Sequence, residues 1–370
     1  MDYLYLSYAF SFVLAFAINL YQMPLFIKLG YKFDLTDNPG GRKIHKKITP
    51  LVGGIGIVST IFPSILAIGI SQIFFPENKS LFIGLMAAIL IFAMGVYDDK
   101  HPIKAKWKLL ISVFPILMAA YTGLRIENLY GLFGIHELPI FGQYAITVVF
   151  MLLITNAWNL IDGINGFTGS LSFFAFAYYG FIFSSAGKVS YAVFCFLVAG
   201  ACGAFLPFNW RKAKTFMGDA GSLCLGFMIG VLSLSLFTSS ASIPVFLTQN
   251  EPPYLLMLVI SQIWLPVVDT VQVFSRRIAK GISPFKPDNN HVHHMALKVF
   301  KTHEKSTIFL TGVYLFGLGC TLVSFAFELS PAYIIGGQIL LPITFLGYLY
   351  YKNGIRIGRK GIMLKDKISL

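Results

Sequence analysis

Apolar residues come in long runs separated by polar breaks, of which alternate ones are strongly basic. Eleven runs stand out, at about 3–27, 51–75, 81–97, 109–124, 143–161, 167–184, 190–207, 221–239, 255–275, 309–327 and 332–351. Their lengths, roughly 17–25 residues, match what an α-helix needs to cross ~30 Å of hydrocarbon. A transmembrane β-barrel would show short segments of alternating polarity instead, and the chain has none. The pattern predicts an all-α integral membrane protein with about 11 transmembrane helices. The first run begins almost at Met1, with no basic leader and no small-residue cleavage site. It reads as a retained helix and not as a removed signal.

Composition supports this reading. Only 12% of the 370 residues are charged, and the mean hydropathy is +0.71. So few charges cannot cover a water-soluble protein of this size. A net charge of +13 would suggest nucleic acid in a soluble protein, but its distribution points to membrane topology. Segments 28–50, 98–108, 208–220, 276–308 and 352–370 hold 26 of the 29 Lys and Arg residues. The alternate loops hold only Lys79, Arg125 and Lys188. Positive charge stays on the cytoplasmic side. The N-terminus is therefore expected outside and the C-terminus, with a basic tail at 352–370, in the cytoplasm. No second domain, repeat or low-complexity tract interrupts 1–370. The four cysteines, Cys195, Cys202, Cys224 and Cys320, lie in apolar runs without metal-type spacing and read as packing residues.

Four acidic motifs stand where apolar runs stop. They are Asp98-Asp99, Asn156-x-x-Asn159-x-x-Asp162-Gly163, Phe216-Met217-Gly218-Asp219 and Asp288-x-x-His291-x-His293-His294. The charge bias places all four on the cytoplasmic side. Carboxylates near a bilayer are costly and persist mainly for function. Acids that can hold a metal, set among cations that can hold phosphates, suggest phosphoryl chemistry at one membrane face. Each motif also has a plainer reading. Asp98 and Asp99 could simply be solvated at a helix end, and adjacent acids on a helix point in different directions, so they divide their work. Asn156, Asn159, Asp162 and Asn165 form a polar stripe that could be interhelical glue. Asp219 alone would pass as a helix N-cap. The histidines, without Cys or H-E-x-x-H, do not make a zinc site. Asp269, beside Pro266 inside the ninth run, must find a partner within the protein. Their shared side and flanking cations favour one site, formed by loops at about 28–50, 98–108, 162–166, 208–220 and 276–308.

Together these motifs resemble the polyprenyl-phosphate N-acetylhexosamine-1-phosphate transferases of the glycosyltransferase 4 type. The resemblance runs from Arg42 to His294 in family order. It rests on Val96-Tyr97-Asp98-Asp99 with Ala105-Lys106-Trp107-Lys108, Asn156 to Gly163, Phe216 to Asp219, and Ser283-Pro284-Phe285 before His-x-His-His. The histidine spacing is similar to the WecA/TagO-like branch and differs from the contiguous triplet of the related muramoyl-pentapeptide branch. The resemblance implies transfer of GlcNAc-1-phosphate from UDP-GlcNAc to undecaprenyl phosphate at a bacterial inner membrane, starting a cell-envelope glycan such as O-antigen or teichoic acid. Mg²⁺ is the implied cofactor, with Mn²⁺ as a tolerated substitute. It implies Asp219 and Asp99 as metal ligands, and Asp98, Asp99, Asp219 and His291 as catalytic residues, Asp98 acting on the lipid phosphate. Lys43, His45, Thr49, Lys106, Asn156, Asn159, Asp162, Asn165, Arg276, Arg277, His293 and His294 are the implied substrate ligands. Partners would be the UDP-N-acetylhexosamine, undecaprenyl phosphate and the lipid bilayer, with no nucleic acid and with room for a homodimer. Two positions depart from the pattern: Asn165 stands where many members have Asp, and Asn289 where a cation often follows Asp288.

Two other readings are weaker. A transporter should carry ionisable residues along a midplane pathway, and here only Asp269 is embedded. A CDP-alcohol phosphotransferase needs D-G-x-x-A-R, but Asp162-Gly163 continues as Ile164-Asn165-Gly166-Phe167.

Overall fold

A computed structural model describes residues 2–40, 47–71, 79–129, 134–238, 253–283, 291–327 and scattered positions from 329 to 352. The chain folds as a bundle of long helices: α1 (Asp2–Lys32), α2 (Gly53–Ser71), α3 (Lys79–Lys100), α4 (Ala105–Tyr121), α5 (Ile140–Leu160), α6 (Phe167–Ser185), α7 (Val189–Asn209), α8 (Gly218–Thr238), α9 (Pro253–Ala279), α10 (Val292–Phe300) and α11 (His303–Ala326). Among the described residues, nine helices are long and apolar enough to cross a membrane. The first ten predicted runs each coincide with one helix. The run at 109–124 becomes α4, which at 17 residues is the shortest of the ten and is the one not counted among the nine. The eleventh run, 332–351, falls mostly outside the described residues. The all-α membrane class is as expected.

Two features were not foreseen. Within segment 28–50, β1 (Thr36–Asp37) pairs antiparallel with β2 (Thr49–Pro50). Within segment 276–308 lies α10, nine residues long, where a plain loop was expected. Its apolar side, Val292, Met295, Ala296 and Val299, is buried, and it packs on α11.

The bundle is organised around α8. This helix packs against α2, α3, α5, α6 and α9, and 94% of its apolar window is buried within the protein. By contrast, α1 lies on the outside against α7 and α2, with only 22% of its window buried. The ends of α2 and α8 meet closely. Gly53 and Gly54 donate their backbone N–H groups to the carbonyls of Phe216 and Met217, at 2.9 and 2.8 Å. A methyl group on Gly54 would lie 2.2 Å from Gly221 Cα, so only a glycine permits this approach, the usual device for close helix packing in membranes. The start of α8, and with it Asp219, is thereby locked to the loop carrying Pro50 and Leu51.

Candidate active site

The C-terminal ends of α3 and α5 and the N-terminal ends of α4 and α8 enclose a crevice of about 490 Å³. Its walls carry Asp98, Asp99, Lys108, Asn159, Asp162 and Asp219, together with Asn165, His294, His303, Asp37 and Leu51. Three of the four acidic motifs therefore meet with the histidine segment, as the charge bias suggested.

Lys108 stands at the centre. Its ammonium bridges the Asp98 carboxylate and Asp219 Oδ2, the latter at 2.6 Å. Asp219 Oδ1 accepts from Asn159 Nδ2 at 2.9 Å, and the same amide group reaches Ser222 Oγ at 2.9 Å. Asp98 Oδ1 also accepts the Ile103 backbone N–H at 2.6 Å, fixing the chain between α3 and α4.

Asp99 has a different task from its neighbour. Its oxygens accept the backbone N–H groups of Asp219 (2.7 Å) and Ala220 (3.0 Å). These are donors that the first turn of α8 cannot satisfy within the helix. Asp99 thus caps α8 from another helix and orients Asp219. Residues one apart on a helix differ by ~100° in direction, which is why Asp98 faces Lys108 while Asp99 faces α8. Asp99 was expected as a metal ligand; here each of its oxygens accepts one backbone N–H and keeps a further lone pair.

Lys106, the expected phosphate ligand, does not line the crevice. It is exposed, with Nζ 5.3 Å from the Trp107 ring centroid, while Lys108, two residues on, turns inward. Asn156 bonds back to Leu152 O at 2.7 Å on its own helix and is absent from the crevice walls. Arg276 and Arg277 end α9 and do not line the crevice either. Arg277 is buried with its guanidinium 5.9 Å from the Phe274 ring. Thr49 is buried in β2, paired in register with Asp37, and its hydroxyl donates to Lys47 O at 3.1 Å. Lys43 and His45 lie outside the described residues, as does Asp288.

The histidine segment sorts its three rings. His291 is 5% exposed and pairs through Nδ1 with Asp269 Oδ2 at 2.9 Å. His293 is buried, and a methyl on Gly163 would lie 2.0 Å from its Nε2. His294 reaches the crevice. Burial, then the neighbouring histidines 294, 291 and 303, hold the His293 ring well below the ordinary imidazole range. Its neutral form is therefore favoured, and the ring packs on Gly163. Loss of hydration, aided by the negative charge of Asp219, raises the Asp162 carboxyl to about 7. Asn165 is tied by its backbone N–H to His303 Nδ1 at 3.2 Å and by its carbonyl to the Thr307 hydroxyl at 2.7 Å. These bonds join the 162–166 loop to α11.

Lys108, His303 and Asp37 were missed as site residues in the sequence reading. Lys108 was visible as part of a lysine cluster but was not separable from Lys106. His303 and Asp37 carried no local signal.

A polytopic helical bundle with acids, amides and a lysine gathered at the end of its central helix has the layout of a membrane transferase. The model of glycosyl transferase family 4 matches residues 81–237, a stretch holding Asp98, Asp99, Lys108, Asn159, Asp162 and Asp219. A Salmonella typhi protein named undecaprenyl-phosphate alpha-N-acetylglucosaminyl 1-phosphate transferase is 32% identical over 330 residues, covering 87% of this chain and 85% of its own. Proteins of the same name from Escherichia coli (strain K12) and Yersinia pestis are also similar. The first is 32% identical over 77% of this chain and 75% of its own. The second is 29% identical over 96% and 92%. The chain belongs to glycosyl transferase family 4.

Proposed function

We propose that this protein transfers GlcNAc-1-phosphate from UDP-GlcNAc to undecaprenyl phosphate, giving undecaprenyl-diphosphate-GlcNAc and UMP. The observation that carries the proposal is the gathering of Asp98, Lys108, Asn159 and Asp219 in one crevice at the end of α8. The relatives bearing that activity in their names match over most of the chain. The crevice lies on the side where Lys and Arg concentrate, so we place it at the cytoplasmic face of a bacterial inner membrane. There a soluble nucleotide sugar and a lipid anchored by its tail can both reach it.

Mg²⁺ fits as the cofactor. Among the described residues, no three Asp, Glu, His or Cys side chains form a cage for an ion. Mg²⁺ does not need one: it keeps several waters and takes one or two carboxylates plus substrate phosphates. The Lys108 ammonium between Asp98 and Asp219 marks a place of suitable size and charge for a cation. Asp219 and Asp98 would hold the metal, which when bound supplies neutralisation of the donor diphosphate and of the departing UMP. Asn159 fixes the Asp219 carboxylate, and Asp99 fixes the helix beneath it. Lys108 and His294 offer positive charge and hydrogen bonds to phosphate oxygens. Asp162 and Asn165 offer polar groups to the nucleotide.

The acceptor needs little activation. A phosphate monoester has a second pKa of about 6, so at neutral pH it is largely dianionic. Its oxygen attacks the sugar-bearing phosphorus directly, and the bond to UMP breaks. The test is purified protein with labelled UDP-GlcNAc, undecaprenyl phosphate and Mg²⁺. UMP release with formation of the lipid-diphosphate sugar is expected, with far less from UDP-MurNAc-pentapeptide. Asp219→Asn should keep the fold and lose most Mg²⁺-dependent turnover. Preference for the pentapeptide donor would move the protein to the peptidoglycan branch, and inactivity with every nucleotide sugar in a folded sample would revive transport.

A further inference from the structure

Asp269 is a carboxylate inside a membrane helix, 1% exposed, and it is not part of the crevice. It sits on α9 ten residues before Ala279, about 15 Å along the helix from its basic end. Burying a carboxylate there is costly unless every oxygen is engaged. Both are: Oδ1 accepts the backbone N–H of Val292 at 2.7 Å, and Oδ2 faces His291 Nδ1 at 2.9 Å. The Val292 N–H is a donor that α10 cannot satisfy internally. An ionised carboxylate only accepts, so with Asp269 ionised this pairing requires a proton on His291 Nδ1.

The rings downstream transmit that placement. His291 and His293 are parallel, 5.7 Å apart at 6°, and His293 and His294 lie 4.2 Å apart. His293 is wedged on Gly163, and His294 enters the crevice. We propose that Asp269 is the positioning residue of the histidine segment. It fixes the tautomer of His291 and anchors the start of α10, so that His294 is held in the site. The inference rests on the transferase reading of that crevice.

Asp269→Asn separates this role from simple support. The amide keeps the size and can still accept from Val292. Its NH₂ would face His291, however, and favour an unprotonated Nδ1. A supporting strut would tolerate the change, whereas a tautomer-setting group would not. The experiment uses the full chain in lipid nanodiscs with ¹⁵N-histidine, and His291→Gln assigns the His291 signals. In the wild type at neutral pH, His291 should show a protonated Nδ1. In Asp269→Asn the proton should move to Nε2. kcat should fall about 10- to 100-fold, as when groups that orient a site histidine are removed, and should fall by more than KM for UDP-GlcNAc rises. An unprotonated Nδ1 in the wild type would overturn the proposal, as would kcat within about twofold of wild type in a folded Asp269→Asn. If that variant does not fold, the wild-type spectrum decides. If the wild type releases no UMP from any donor, the transferase reading fails, while the spectrum still decides the Asp269–His291 pairing.

Discussion

Gly163→Ala tests how closely the histidine segment is seated on the crevice wall. The added Cβ would stand 2.0 Å from His293 Nε2, whereas ordinary contact begins at 3.4 Å. One side must therefore retreat by about 1.4 Å, the difference between those distances. His293 cannot swing aside easily, being buried and in ring contact with both His291 and His294. The strain should instead push the 162–166 loop and α10 apart, moving Asp162 and His294 relative to each other. Overpacking of this kind costs about 1–3 kcal/mol. Misplacement of reacting groups by ~1 Å costs on the order of 10²-fold in rate. We expect a lower melting temperature and a roughly hundredfold fall in kcat/KM, read by UMP release. Adding His293→Ala removes the obstructing ring and should restore most of the melting temperature. Wild-type turnover and stability in Gly163→Ala, or no recovery of stability in the double variant, would refute the proposed wedge.

Lys108→Met should abolish most turnover, whereas Lys106→Met, which alters an exposed side chain over Trp107, should leave it within about threefold in the same assay, since surface charges carry little energy. Equal losses would return Lys106 to the site. The raised Asp162 carboxyl predicts a pH effect. Its folded-state value, about 7, lies above the unfolded value of 3.8, so its contribution to stability is full below pH ~4 and is lost as pH rises to ~7. Asp162→Asn should flatten that part of the melting-temperature profile, and an unchanged slope would assign it to other groups. In a cysteine-free background, single cysteines at Ser283 or Lys301 should resist an impermeant thiol reagent in intact cells. Ready labelling there would invert the topology.

The membrane helices were legible because hydrocarbon thickness sets their length, and the sidedness of Lys and Arg alone grouped the four motifs. The division of labour between Asp98 and Asp99 was also foreseeable, since neighbours on a helix diverge. Which of the two faced α8 was not, because that depends on the rotation of α3 against its neighbours. The inward turn of Lys108 and the outward turn of Lys106 have a similar origin. The apolar run suggested a start at 109, but α4 begins at Ala105, so both lysines lie on helix and only one can face the crevice. The helix α10 was hidden because nine residues within a basic loop are too few for a convincing period. Asp37 reaches the crevice through a two-residue strand pairing, which leaves no pattern to read.

The burial of α8 on nearly every side has a bearing on how the enzyme would respond to its surroundings. Changes in bilayer thickness act on helices that touch acyl chains, by tilting or bending them. Here α1 would absorb such stress, whereas the carboxylate of Asp219 rides on a mast that lipid tails hardly reach. Turnover in short-chain and long-chain phospholipids should therefore differ little, apart from what each does to the solubility of the polyprenyl acceptor. Replacing lipid-facing residues of α1 should alter membrane preference long before it alters chemistry.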